Sequence, residues 1–415
     1  MTTKRLDPRP ILLLSLGHLV ADLYQGAVPA LLPLWKQAFA LPYAATGAIM
    51  LALQVCSSVV QPLFGLLDDR ARQRYWLPTA AALAGLGMAV AVLAPSYSLV
   101  LAGVVVGGLG VALYHPEASR RAHDHAGARR ATAMSWFSVG GNLGIGLGPL
   151  VVAALLTHGV TALASGMAAI GLAAAWLLRA QGPRLLARGP HDAGSPASPS
   201  AQAARDRRDT GAGPGVDRWG ALWLLSSVVV VRSWVHAGAQ SFVPLLLTER
   251  GLPTPQVQTL LAVFLLAGAA GTLVGGPLAD LVGRKPVMAG AMALSVPLVW
   301  LIGRVDAAAL PLVLAAAGFT LVSTFSVSVV LAQELLPSRV GTASGIVLGA
   351  SVGTGGIGVA LLGWLADARG LPAAMQAMGW LPLVGLALTL GLPSERRGAA
   401  LRGGAPSTRE AGAPR

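Results

Sequence analysis

The decapeptide Gly276-Pro277-Leu278-Ala279-Asp280-Leu281-Val282-Gly283-Arg284-Lys285 stands between two apolar runs, 256–280 and 286–303. Each run approaches or exceeds the roughly 20 apolar residues a helix needs to cross a hydrocarbon core of about 30 Å. Glycine at 276 removes the side chain that would hold a neighbouring helix away. Asp280 falls at a helix end, where a carboxylate can meet another helix N-terminus or an arginine. Arg284 and Lys285 then belong to a loop on the side of a membrane that collects positive charge. The segment is expected to be a tight connection between two membrane helices, with charges that latch one arrangement and release it in another. A plainer reading is that these charges only set orientation.

Outward from this stretch the pattern continues. Of 415 residues, 54% are hydrophobic and only 11% are charged, against about 25% charged in a soluble chain. Mean hydropathy is +0.65. Hydropathy and breakers predict spans at 10–34, 44–67, 76–94, 98–115, 131–156 and 160–179, then 220–247, 256–280, 286–303, 309–331, 341–366 and 372–392. Residues 1–180 are expected to form one six-helix bundle and 219–392 a second. A flexible cytoplasmic linker at 181–218, rich in Ala, Gly, Pro, Ser and Arg, joins them, and a basic tail follows at 393–415. The basic N-terminus (Lys4, Arg5, Arg9) leads into an apolar run that passes Asp22, so a retained first helix is expected rather than a cleaved signal.

Charge placement fixes the expected orientation. Of the 30 Lys and Arg residues, 25 fall in the segments that would be cytoplasmic if both termini are. Lys36, Arg250, Arg304 and Arg369 fall on the other side, and Arg232 lies within a helix. That asymmetry accounts for the net charge of +13 without nucleic acid as a partner. The single cysteine, Cys56, excludes an intrachain disulfide. Trp35, Trp76, Trp219 and Trp300 sit near span ends, as interface anchors do.

The halves repeat. Gln25-Gly26-Ala27-Val28-Pro29 is echoed 215 residues later by Gln240-Ser241-Phe242-Val243-Pro244. Gly65-Leu66-Leu67-Asp68-Asp69-Arg70, followed by Arg74, is echoed 211 residues later at Gly276 to Asp280. Parallel repeats place a substrate path at their interface. The run Gly140-Gly141-Asn142-Leu143-Gly144-Ile145-Gly146-Leu147-Gly148-Pro149 presents glycines four apart, a flat face for close helix packing centred on Gly144, Gly148 and Pro149.

The decapeptide resembles the loop signature of the major facilitator superfamily, and the glycine run is similar to the fifth-helix motif of its antiporters. The first-half copy keeps Gly65, Asp69, Arg70 and Arg74 but lacks the glycine before the basic pair. Beyond the superfamily, the chain resembles the fosmidomycin-resistance group in His18-Leu19-Val20-Ala21-Asp22-Leu23-Tyr24-Gln25, Gln61-Pro62-Leu63, His115-Pro116-Glu117-Ala118-Ser119-Arg120 and Gln333-Glu334-Leu335-Leu336-Pro337-Ser338-Arg339. The resemblance implies an all-α membrane protein with twelve transmembrane helices in two pseudo-symmetric bundles. It further implies efflux of a small polar antibiotic in exchange for protons.

Individual residues carry the expected chemistry. Asp22 lies midway along an apolar helix, with His18 one turn earlier on the same face. A carboxylate there is costly unless it is paired or faces water, and the pair is expected to carry the coupling proton. Arg232, with His236 one turn later, is expected to bind a substrate anion. Gln25, Gln240, Tyr24 and Trp234 complete the expected substrate set. The alternative is a structural salt bridge between Asp22 and Arg232. Glu117 with Arg120, and Glu334 with Arg339, are expected as latch or solvated charges at helix ends, beside His115. No HExxH, paired CxxC, Walker A or GxSxG pattern occurs, so neither a cofactor nor a metal centre nor an enzyme is expected.

The expected protein is a bacterial inner-membrane transporter, monomeric, handling a small molecule and protons. A proton symporter importing an anionic metabolite shares the fold. A non-transporting membrane sensor is the alternative of another class.

Overall fold

A computed structural model of the chain describes residues 8–61, 63–64, 75–126, 130–186 and 217–393. The first half contains α1 (Pro8–Ala38), α2 (Tyr43–Gln54), α3 (Trp76–Leu93), α4 (Tyr97–His125), α5 (Arg130–Leu156) and α6 (Val160–Ala180). The second contains α7 (Trp219–Glu249), α8 (Thr254–Val282), α9 (Arg284–Ile302), α10 (Leu310–Leu335), the broken pair α11 (Val340–Gly353) and α12 (Gly355–Arg369), and α13 (Leu371–Leu390). Among the described residues, eleven helices are long and apolar enough to cross a membrane, counting α11–α12 as one. Tyr43–Val59 is a shorter apolar helix in the twelfth place. Large apolar side chains such as Leu281, Leu312 and Trp176 stand exposed on the outside, where a bilayer replaces water.

Glycine sets how closely the helices approach. A side chain at Gly140, Gly144 or Gly148 would run into the backbone carbonyl of Ser15, Leu19 or Leu23 in turn, so α5 lies directly on α1. The signature loop behaves likewise, with a shift of one residue. Gly275, rather than Gly276, is the point of close approach, since a side chain there would strike the Ser323 carbonyl of α10. At Gly276 the nearest such atom is Ser326 Oγ at 3.7 Å. The reason is helical phase: 268, 271 and 275 share one face and 276 is turned away from it. Gly283 has φ +100° and joins α8 to α9 without an intervening loop, a conformation that favours glycine.

Two spans lose α-helical regularity where the halves meet. α2 passes into a π-helical turn at Val55–Val59, and α11 breaks from α12 at Thr354. Gly355 and Gly356 lie against Gln54 and Leu51 across the interface. Periodicity alone foresaw neither irregularity. α4 also differs from expectation: it continues through Pro116 to His125 rather than ending near 115. A proline costs a helix one hydrogen bond and a bend, and neighbouring helices offset this in a membrane bundle. Trp35 is 2% exposed and donates from Nε1 to Ala91 O at 3.1 Å, so it packs inside the bundle rather than anchoring an interface.

One end of the bundle, at the 39–42 connection, is closed by contacts between halves. Asp367 of α12 accepts from the backbone N–H groups of Tyr43 and Ala44 at 2.7 and 2.8 Å, capping the first turn of α2. The Tyr43 hydroxyl donates to Glu249, and Lys36 lies 3.9 Å from the Tyr43 ring centre. Deeper in, Gln258 Nε2 donates to Ala30 O at 2.7 Å.

Candidate functional site

α1 and α4 bring three ionisable side chains together inside the first half. Asp22 Oδ2 lies 3.2 Å from His18 Nε2, and Asp22 Oδ1 lies 3.1 Å from His115 Nε2. The two Nε2 atoms are 3.2 Å apart. Gln25 Nε2 donates to Asp22 Oδ1 at 2.6 Å. On their far sides both rings are anchored: His18 Nδ1 donates to Phe137 O and His115 Nδ1 to Val111 O, each at 2.8 Å. A carbonyl can only accept, so each Nδ1 carries its hydrogen and each neutral ring presents a bare Nε2 lone pair. Three acceptors therefore converge on one another. A proton shared between two of them would remove that repulsion.

The surroundings support this placement. Phe137 stacks on His18 with ring centres 4.2 Å apart, and Tyr114 donates its hydroxyl to Leu14 O at 2.7 Å behind it. A Cβ at Gly141 would lie 2.5 Å from both Asp22 Oδ2 and His18 Nε2, so only glycine leaves room for the pair. Sequence reasoning paired His18 with Asp22 by helical spacing but assigned His115 to a solvated helix end. His115 is 93 residues beyond Asp22, and only the packing of α4 on α1 joins them. Gly141 was legible only as one glycine in a packing run.

The second half holds the opposite charge. Arg232 of α7 is buried, donates from Nη2 to Ser351 Oγ on α11, and lies 5.5 Å from the Phe325 ring centre. Its Nε has no hydrogen-bond partner among the described residues. Among the described residues it pairs with no carboxylate. In this structure Asp22 is held by His18, His115 and Gln25 instead, so the Asp22–Arg232 salt bridge is not formed. His236 stacks on Phe264 at 5.5 Å, and Trp234 packs on Gly358, its Nε1 without a hydrogen-bond partner among the described residues. Gln240 is buried, and Gln25 is bound to Asp22. Tyr24 departs from the expected substrate set: it is 1% exposed and its hydroxyl donates to Met167 O at 2.8 Å, which makes it a packing group between α1 and α6.

The latch residues are distributed as follows. Gly65, Asp69, Arg70 and Arg74 lie outside the described residues. Glu117 is fully buried and pairs with Arg120 at 2.5 Å and with Arg121, both on α4. In the second half Arg284 meets Glu334 at 2.8 Å, tying the α8–α9 turn to the end of α10. Lys285 Nζ donates to Leu390 O at 2.7 Å and Leu392 O at 2.5 Å, neutralising the C-terminal end of α13. Arg339 lies 5.7 Å from the Trp219 ring centre. Asp280 is exposed and makes no ion pair with a described residue.

Eleven long apolar helices and a shorter twelfth among the described residues, in two repeated halves with a buried carboxylate cluster at Asp22 in one and the buried Arg232 in the other, define a polytopic membrane transporter. The chain belongs to the Major Facilitator Superfamily, whose profile matches residues 14–254 and again 225–410. It is 34% identical over 394 residues to the uncharacterized MFS-type transporter YfnC of Bacillus subtilis (strain 168), covering 93% of each chain. It is 31% identical over 384 residues to the fosmidomycin resistance protein of Escherichia coli (strain K12), covering 92% of each. The fold is similar to that of a bacterial homolog of the human lysosomal transporter Spinster in an inward-facing and occupied conformation. That match has a TM-score of 0.76 at 16% identity, over 93% of this chain and 97% of that one.

Proposed function

We propose that this chain exports a small polar or anionic compound across a bacterial inner membrane in exchange for protons. It would act by alternating access as a monomer with both termini cytoplasmic. The observation that carries the reading is Arg232, a buried guanidinium with an unsatisfied Nε and no described carboxylate beside it. A buried cation without a counter-ion is costly, and an anionic substrate supplies the missing charge. Asp22 with His18 and His115 holds the coupling proton in the other half. His236, Gln240 and Trp234 stand near Arg232 on α7 as further substrate contacts.

With both termini cytoplasmic the Tyr43 end would face outward, and the contacts that join the halves there support reading this arrangement as inward-facing. The relative named for fosmidomycin resistance makes fosmidomycin the first compound to try. Binding of proton or substrate would shift the inward–outward equilibrium by its differential affinity for the two states.

The test uses inverted membrane vesicles with an inside-acid gradient. Adding fosmidomycin should collapse part of that gradient, and vesicles lacking the protein should show no response. If other small anions collapse the gradient and fosmidomycin does not, exchange stands with a different substrate. If no anion does, the antiport reading fails.

A further inference from the structure

We infer that His18, Asp22 and His115 form a binding site for a divalent first-row transition-metal ion, with Zn2+ the probe of choice. The argument is geometric. A tetrahedral ion bonded at about 2.0–2.1 Å to nitrogen and oxygen holds its ligands roughly 3.3–3.4 Å apart. The two Nε2 atoms are 3.2 Å apart, and Asp22 turns a different oxygen to each ring, Oδ2 at 3.2 Å from His18 Nε2 and Oδ1 at 3.1 Å from His115 Nε2. One ligand atom from each residue lies within 4.8 Å of the other two. An ion seated between the two rings would take one carboxylate oxygen, or both, after a rotation of the carboxylate.

The outer shell is that of a metal site as well. Each imidazole donates its other nitrogen to a backbone carbonyl, Phe137 O or Val111 O, which fixes the tautomer with Nε2 facing inward. Gln25 steadies the carboxylate. Gly141 keeps the space beside His18 and Asp22 clear of any side chain. A single proton can bridge two of the three acceptors at once, whereas a metal ion engages all three. Two imidazoles and one carboxylate favour Zn2+, Co2+, Ni2+ or Cu2+ over Mg2+ or Ca2+, which take oxygen ligands. His115 has 21% of its side chain exposed against 10% for His18 and 7% for Asp22. Its edge is therefore the side on which a water could complete four-coordination. An ion there would tie α1 to α4.

The proposal does not depend on protons driving transport. It is tested at equilibrium, without substrate or gradient, on the full chain purified in detergent with any affinity tag removed. Zn2+ titrated calorimetrically should bind with a stoichiometry of one. Co2+ should give the intense visible bands of a four-coordinate ion, discharged by Zn2+. His115→Asn and Asp22→Asn should each weaken binding about 100-fold or more, since altering even an outer-shell partner costs about 10–100-fold. The His123→Asn/His125→Asn/His158→Asn protein, which lacks three histidines outside the triad, should bind as the parent does. Parent-like monodispersity and melting of the two triad variants would show that their loss is local. Should either variant misfold, Gly141→Ala offers a second route, since its methyl would obstruct the site. The idea is overturned if the parent chain binds no Zn2+, or if only the His123/His125/His158 variant loses it. Binding that survives unchanged in well-folded Asp22→Asn and His115→Asn proteins overturns it too.

Discussion

The two halves share a scaffold but not its charges. In the first, Asp22 is held by two imidazoles and an amide within hydrogen-bond distance. In the second, Arg232 has one serine hydroxyl and an aromatic face. The repeat preserved Gln25 and Pro29 as Gln240 and Pro244, residues that shape the first helix of each half. It did not place Asp22 and Arg232 at matching positions of those two helices. A cluster of converging acceptors and a buried cation present opposite electrostatics. On the function proposed above, the first would take a proton and the second an anion, so that divergence of a few buried side chains after duplication would give the two halves opposite tasks.

The sharpest way to break this comparison is Asp22→Asn. Proton-driven efflux should fall to background while the protein inserts normally, as read by substrate-dependent proton movement in vesicles. Normal transport against a gradient by this variant would remove Asp22 from coupling. Next in size, Arg232→Gln should raise the substrate concentration needed for half-maximal efflux about 10-fold or more, the worth of a hydrogen bond to a charged group. Arg232→Lys should recover part of that loss, because charge returns without the planar fork. Equal behaviour of the Gln and Lys variants would show that charge is not what Arg232 supplies.

A smaller effect is expected at the junction between the halves. Asp367→Ala removes the carboxylate that caps α2, a contribution of about 1 kcal/mol. The ratio of closed to open arrangements at the Tyr43 end should fall about five-fold. A cysteine placed at Ala44, with Cys56 replaced by serine, should then react faster with a membrane-impermeant thiol reagent. Unchanged labelling would mean that Asp367 does not hold this end.

The smallest effect concerns Asp217, whose carboxylate accepts from the Ser338 hydroxyl and N–H and is held below the usual carboxylate range by those bonds, chiefly the hydroxyl. Its folded value is lowered, so its contribution is present near neutral pH and is lost as pH falls through that lowered value. Because the group sits at the surface, where solvent screens it, the expected shift is slight. Asp217→Asn should flatten the acid limb of the melting-temperature profile by no more than a degree or two.

The fold was largely legible in the sequence because a bilayer restricts the choices. Only long apolar helices satisfy their backbone there, and the basic loops report their alternation. Glycines four apart in α5 announced a close-packed face, and the structure lays that face on α1. The site was half legible. Helical spacing joined His18 to Asp22, but His115 is brought in by tertiary packing and precedes a proline, Pro116, that suggested a helix end. Tyr24 was misplaced because a polar tip beside Asp22 says nothing about which neighbour offers it a carbonyl. The Asp367–Tyr43 cap could not be read at all, since it joins residues from opposite halves and neither belongs to a repeat.

That cap also bears on biosynthesis. Asp367 follows Tyr43 by 324 residues, so the first turn of α2 leaves the ribosome long before its acceptor exists. The first bundle must therefore be inserted with those two N–H groups turned to lipid headgroups or water. The closure at the Tyr43 end is acquired only when the last part of the chain has been made, which places the completed transport cycle after translation of α12.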